Sequence, residues 1–180
     1  MAAIETSSRT WRPRQKPFKS AVVKAALFAL GSALEAAAVL DEDVRHEVAT
    51  WKDPFSVLFQ VVPNGPSMVF EKRNGKLVFK GTKAVKADLS VYFKNMESAF
   101  LILSGQIGTP QGYAEHRMTL KGDTSQGMGL IRVLNVVQFY LFPKILAQRI
   151  IKRLPEMTPK KMLNRFLILG VGIPLGFRRL

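Results

Sequence analysis

Ser67-Met68-Val69-Phe70-Glu71-Lys72-Arg73-Asn74-Gly75-Lys76-Leu77-Val78-Phe79-Lys80 is the stretch that decides the fold. Ser67–Arg73 alternates, with Met68 and Phe70 on one face and Val69 and Glu71 on the other, the period of a strand. Asn74-Gly75 tolerates the positive φ angles of a two-residue hairpin turn and joins this strand to Lys76–Lys80, where Leu77 and Phe79 share a face. Upstream, Ser56–Val62 is β-branched and apolar and runs into a turn at Pro63-Asn64-Gly65-Pro66. Downstream, Ala87–Phe93 alternates again, with Leu89, Val91 and Phe93 opposing Asp88, Ser90 and Tyr92. The middle of the chain reads as an antiparallel meander of about four strands, with Arg117–Lys121 a short fifth.

Helical signals flank and interrupt these strands. Pro17 can open a helix, and Phe18–Leu40 is dense in alanine and apolar residues, with charge only at Lys19, Lys24 and Glu35. Asp41 is a good N-cap for a short helix over Glu42–Trp51, which has acids in its first turn. Asn95 caps Met96–Leu103, Thr109-Pro110 opens a short turn or helix, and Gln126–Phe142 is a strongly apolar helix broken or kinked at Pro143. Lys144–Leu154 is basic and amphipathic, and Lys160–Leu169 carries one more helical signal before the sequence becomes uniformly apolar. The expected fold class is therefore α+β, a five-stranded and mostly antiparallel sheet covered by helices, with an extra C-terminal helical segment. Three regions are expected: a basic arm at 1–16, a domain at 17–143 and a basic, amphipathic and apolar extension at 144–180.

The net charge of +14 is unevenly placed. Residues 1–20 hold five cations and one anion, and residues 144–180 hold nine cations and one anion, so the middle is near neutral. Basic ends suit an anionic surface. Neither apolar run is expected to cross a membrane: Ala25–Leu40 contains Glu35, and Phe166–Phe177 is short and interrupted by glycines and Pro174. With no cysteine, thiolate metal sites and a cysteine nucleophile are excluded.

Enzyme chemistry has little to stand on. His46 lies in Asp41-Glu42-Asp43-Val44-Arg45-His46-Glu47, which reads as a solvated helix face with i,i+4 pairs, and His116 precedes a strand. Neither Gly105-Gln106-Ile107-Gly108 nor Gly122–Gly127 ends in the Gly-Lys-Ser/Thr of a phosphate loop, and no serine sits in a nucleophile elbow. No catalytic residue, metal ligand or cofactor is assigned. Nucleic acid is disfavoured as a partner because the basic tails carry few aromatics. The apolar excess in 25–40, 96–103, 128–142 and 166–177, with seven methionines, suits either a plain packed core or a cavity for an apolar ligand.

The order of segments from about Ser56 to Val137 resembles the sterol carrier protein type 2 family. The resemblance is carried by the hairpin Phe70–Phe79 and then Ala87-Asp88-Leu89-Ser90-Val91. Met96-Glu97-Ser98-Ala99-Phe100 leading to Leu103-Ser104-Gly105 follows, then Thr109-Pro110 and Met118-Thr119-Leu120-Lys121-Gly122-Asp123. The chain departs from the family pattern at Gln106, where a basic residue is usual, and at His116-Arg117, where a small one is common. The resemblance implies non-catalytic binding or transfer of a sterol, fatty acyl, phospholipid or isoprenoid lipid in a tunnel between the sheet and the C-terminal helix. On the same basis Phe100, Leu103, Met118, Leu120, Met128, Ile131, Leu134 and Val137 are tunnel-lining candidates.

The extension beyond the resemblance combines cations with an apolar run, the two signals that peripheral anchoring needs. Lys144, Arg149, Lys152, Arg153, Lys160, Lys161, Arg165 and Phe166 are its expected membrane contacts. The expected setting is cytoplasmic and peripheral at an anionic membrane. The alternative is a scaffold or accessory subunit holding a membrane-associated enzyme through residues 144–180.

Overall fold

The computed structural model describes residues 17–143, Ala147 and residues 158–174. The basic arm and, Ala147 apart, the expected helix at 144–154 lie outside these residues. In chain order the elements are α1 (Pro17–Leu40), α2 (Glu42–Ala49), β1 (Phe55–Val61), β2 (Ser67–Arg73), β3 (Lys76–Gly81) and β4 (Leu89–Phe93). Then come α3 (Met96–Leu103), α4 (Thr109–Ala114), β5 (Met118–Gly122), α5 (Thr124–Leu141) and α6 (Pro159–Leu167), which runs into a π-helical segment at Ile168–Gly172.

The five strands form one sheet in the order β3-β2-β1-β4-β5, antiparallel throughout except where β1 and β4 pair in parallel. This α+β architecture is the expected class, but the meander is corrected. After β3 the chain does not add β4 beside it; it returns past β2 and β1 and pairs β4 with the far side of β1. Alternation fixes which face a residue occupies, not which strand lies next door. The 82–88 connection makes the crossing. Its Thr82 carbonyl accepts from Ser67 Oγ at 2.7 Å, and its Asp88 carboxylate accepts from Ser56 N–H and Oγ at 2.8 and 2.6 Å. Ser67 and Ser56 both lie on the side of the sheet away from the core, at opposite ends of paired strands, so the connection crosses that side diagonally. Leu58 and Val69 face each other beneath it and are buried.

The inner face follows from the register. Val57 stands beside Phe70 and Leu89, Phe59 beside Met68 and Val91, and Phe93 beside Met118, and all of these are buried. Helix α1 lies on this face, with Val23, Leu27, Leu34 and Ala37 fully covered. At Gly31 an added Cβ would stand 2.6 Å from the Phe79 ring, so only glycine lets the helix sit this close to β3. By length and composition α1 is able to cross a membrane, contrary to the sequence expectation, yet half of that stretch is buried within the domain. Its packing makes it the central core helix.

Lys72 shares the inner face by strand parity and is only 4% exposed. Its ammonium donates to the carbonyls of Trp51 (2.6 Å) and Ala49 (3.1 Å), so a buried cation sits at the carbonyl end of α2, where the helix dipole favours it. Helix α5 starts two residues before the predicted Gln126. Asp123 is not only a strand terminator: its carboxylate accepts from the N–H groups of Ser125 (3.1 Å) and Gln126 (3.4 Å) as an N-cap. Gly127 against Leu120, and Gly129 against Trp51 and Glu47, bring α5 close to β5 and α2. A bidentate Arg132–Glu47 pair at 2.6 and 2.7 Å closes the α2–α5 contact.

Candidate functional site

Two features stand out: an apolar layer between the sheet and helices α3 and α5, and an outward-facing apolar surface on α6.

In the apolar layer, Met118 and Leu120 lie on the inner face of β5, beside Phe93 and Val91. Met118, Leu134 and Val137 are buried, while Phe100, Leu103, Leu120 and Ile131 are half-buried. Met128 is 59% exposed and points out of the layer. The period of α5 explains the split, because Leu130, Leu134 and Val137 fall on one stripe and Met128 on the opposite side. Leu130 and Val133, which the sequence reading passed over, are the more deeply buried neighbours. Half-buried Phe142 packs on the core with its ring over Gly105, where an added Cβ would be 3.2 Å away. The Lys19 ammonium lies 5.0 Å from the centre of the Phe100 ring and pairs with Glu97 at 2.6 Å, a cation at the α1–α3 edge.

Helix α6 is held by polar contacts on its inner side. Thr158 caps it, and Pro159 occupies the first turn. Asn164 Nδ2 donates to the Leu40 carbonyl at 3.0 Å and Arg165 Nη2 to the Phe142 carbonyl at 2.7 Å, the free carbonyls that end α1 and cap α5. Lys161 pairs with Asp43 at 2.8 Å. Ile168 is fully buried, and an added Cβ at Gly172 would stand 2.7 Å from Ala36 Cβ, so the π-helical segment lies directly on α1.

The outer side carries Met162, Leu163 and Phe166, exposed by 54%, 59% and 68%, followed by exposed Leu169 and Val171. This helix is inverted relative to a soluble one, with its hydrogen-bonding groups inside and its apolar side chains in water. Of the expected membrane contacts, Phe166 is outward. Lys161 and Arg165 turn inward instead, drawn to a carboxylate and to a carbonyl at a helix end. Lys144, Arg149, Lys152 and Arg153 lie outside the described residues, as does the Lys160 side chain.

A buried polar contact joins the two features. Asp41, 1% exposed, accepts from the Val44 N–H at 3.0 Å and from the Tyr140 hydroxyl. Burial, and then the bond to Asp41, pushes the Tyr140 phenol far above its ordinary pKa, which keeps it a neutral donor. Asp41 is legible from sequence as a cap, but its partner lies ninety-nine residues on. His46 is exposed on α2, and His116 is exposed with a positive φ in the turn before β5. Among the described residues no group of three or more His, Asp or Glu side chains is placed to hold a metal.

No protein-family profile matches the chain, and no characterised protein matches it by sequence. Solved structures similar to it include the ubiquinone synthesis protein UbiJ-SCP2, at 14% identity and a TM-score of 0.43, over 68% of this chain and 97% of that one. The palmitated sterol carrier protein SCP2L2 of Aedes aegypti is 13% identical with a TM-score of 0.42, over 59% of this chain and 91% of its own. Sterol carrier protein 2 of Yarrowia lipolytica in its apo form is 14% identical with a TM-score of 0.36, over 64% and 86%.

Proposed function

We propose that this chain binds or transfers a lipid without chemical conversion, holding one apolar chain between the sheet and helices α3 and α5 while it sits peripherally on an anionic membrane. The observation that carries the reading is the inversion of α6. Met162, Leu163 and Phe166 face water while Asn164 and Arg165 are spent on the domain's own carbonyls. An apolar strip on a protein of net charge +14 has both components of peripheral attachment, insertion and attraction to anionic headgroups. The half-buried Phe100, Leu103 and Phe142 are apolar side chains already near the surface, where an acyl or isoprenoid chain can enter. The sequence resemblance to sterol carrier proteins supports the same reading, and the absence of assignable nucleophile or base chemistry in the sequence supports a non-catalytic role.

The test uses the full chain, a fluorescent fatty acid, and vesicles of phosphatidylcholine with or without phosphatidylglycerol. The reading expects saturable uptake of the fatty acid and flotation with the anionic vesicles only. Lack of uptake together with lack of flotation would sink it. A second reading, a scaffold with a filled core, is favoured by the near-complete burial of Leu130, Leu134 and Val137. It expects flotation without uptake.

A further inference from the structure

The outer side of the sheet, opposite the helical layer, differs in its chemistry from the outer side of α6. Helix α1 separates the two, since Gly31 meets Phe79 on β3 while Ala36, on another side of the same helix, meets Gly172. A membrane on α6 therefore leaves the outer side of the sheet facing the aqueous phase.

That side is basic. Arg73 at the end of β2, Lys76 and Lys80 on β3, Lys83 and Lys86 on the crossing connection and Lys121 on β5 are all exposed. The acids among them are engaged: Glu71 pairs with Lys80 at 3.5 Å, and Asp88 is spent on Ser56. Asp53, at the hairpin end, accepts from the N–H groups of Asn74 (3.0 Å) and Gly75 (2.6 Å). The acids of the helical side, by contrast, pair with that side's own cations, as in Glu47–Arg132, Asp43–Lys161 and Glu97–Lys19. Lys80 is taken up by Glu71, but among the described residues Arg73, Lys76, Lys83, Lys86 and Lys121 have no acid partner, which leaves them for one outside the chain.

We propose that this side of the sheet binds an acidic protein surface, so that a membrane-docked molecule holds a soluble partner on its far side. The second half of that statement rests on the docking read from α6; the first does not. Two observations favour a protein over nucleic acid. Tyr92, the aromatic of this face, is half-buried, and Lys121 lies 5.8 Å from its ring centre, so no free platform for base stacking is offered. The cations also sit dispersed, with Arg73, Lys76 and Lys80 at one edge of the sheet, Lys83 and Lys86 on the crossing connection and Lys121 at the other edge, and with the carboxylates of Glu71 and Asp88 interspersed among them. That spacing meets scattered carboxylates better than one continuous phosphate track. A bilayer is better served by α6, whose apolar strip this side lacks.

The probe is a fluorescein-labelled glutamate decapeptide, titrated with the full chain at 50 mM salt. An oligothymidylate decamer and phosphatidylglycerol vesicles are run in parallel. The sheet variant is Lys76→Glu with Lys121→Glu; a control with equal charge change on the helical side is Lys24→Glu with Arg45→Glu. The expected result is at least a tenfold loss of peptide affinity in the sheet variant, less than twofold in the control, and vesicle flotation kept by both. In the unaltered protein, amide resonances of Tyr92 and Lys121 should shift on peptide addition, which guards against a variant that fails to fold. Equal loss in both variants would mean net charge alone binds the peptide, overturning the proposal. So would an oligonucleotide bound more tightly than the peptide and lost in the sheet variant, or flotation lost only in the sheet variant. If neither protein floats but the peptide result holds, the surface stands and the docking on α6 fails.

Discussion

Replacing Phe166 with serine tests the inversion of α6 at its most exposed point. The side chain is 68% exposed and makes none of the inner hydrogen bonds of the helix, so folding should hardly register its loss. Membrane binding should. A phenylalanine presents roughly 200 Å², so about 140 Å² of it is free to leave water, worth about 3.5 kcal/mol at ~25 cal/mol/Å². Interfacial insertion is shallow, and if half that area is immersed the gain is about 1.7 kcal/mol, or nearly twentyfold in the partition constant. The assay is tryptophan fluorescence or flotation across a lipid titration with phosphatidylglycerol vesicles, with thermal melting in parallel. The expected outcome is a fivefold to thirtyfold weaker partition and a melting temperature within a degree or two of the parent. A change in partition below twofold would refute the reasoning, since the exposed strip would then not be what meets the lipid.

Other perturbations probe the frame that presents this surface. Asp41→Ala should cost about 2–4 kcal/mol in urea unfolding, from the lost cap (about 1) and a stranded Tyr140 hydroxyl (about 1–3), whereas Asp41→Asn, which keeps an acceptor, should cost less than half of that. The hydrogen bond from Arg132, with its charge, holds the Glu47 carboxyl below its usual range. A depressed folded pKa means the stabilisation is complete above the ordinary glutamate value of about 4.3 and is lost as pH falls through the lower folded value. The stability gap between the parent and Arg132→Gln should therefore be constant from pH 5 to 8 and close at more acidic pH, as read by urea midpoints. Gly129→Ala places a Cβ 2.6 Å from Trp51 Nε1 and should destabilise by about 1–3 kcal/mol, while Gly170→Ala, with nothing within 4 Å, should be neutral or slightly stabilising in the same melts.

The strands were legible because each signal is local. Asn74-Gly75 set the hairpin register, and alternation set the faces of β2 and β4. What that signal lacked was the neighbour of β4, because the parallel pairing with β1 depends on the path of the 82–88 connection across the sheet. The parity that placed Met68 and Phe70 inside also placed Lys72 inside. Only the carbonyls of Ala49 and Trp51, brought over by α2, explain why a lysine is tolerated there. Of the tunnel candidates, those on the α5 stripe fell in the core. Met128 did not, because one residue past Gly127 the helix has already turned it outward. Helix α6 was the hardest to read. Its inner side is polar and its outer side apolar, so charge alone, which made Lys161 and Arg165 expected membrane contacts beside Phe166, did not show that both side chains turn back onto the domain. The acceptors that hold them, Asp43 and the Phe142 carbonyl, are distant in sequence.

The most direct test of lipid binding is native mass spectrometry of the full chain after gentle purification without detergent. The account predicts a population heavier than the 20.1 kDa polypeptide by the mass of one lipid, released by collisional activation and identified as an acyl, sterol or isoprenoid chain. A single peak at the polypeptide mass, unchanged after incubation with fatty acid, sterol and isoprenoid-bearing vesicles, would contradict it.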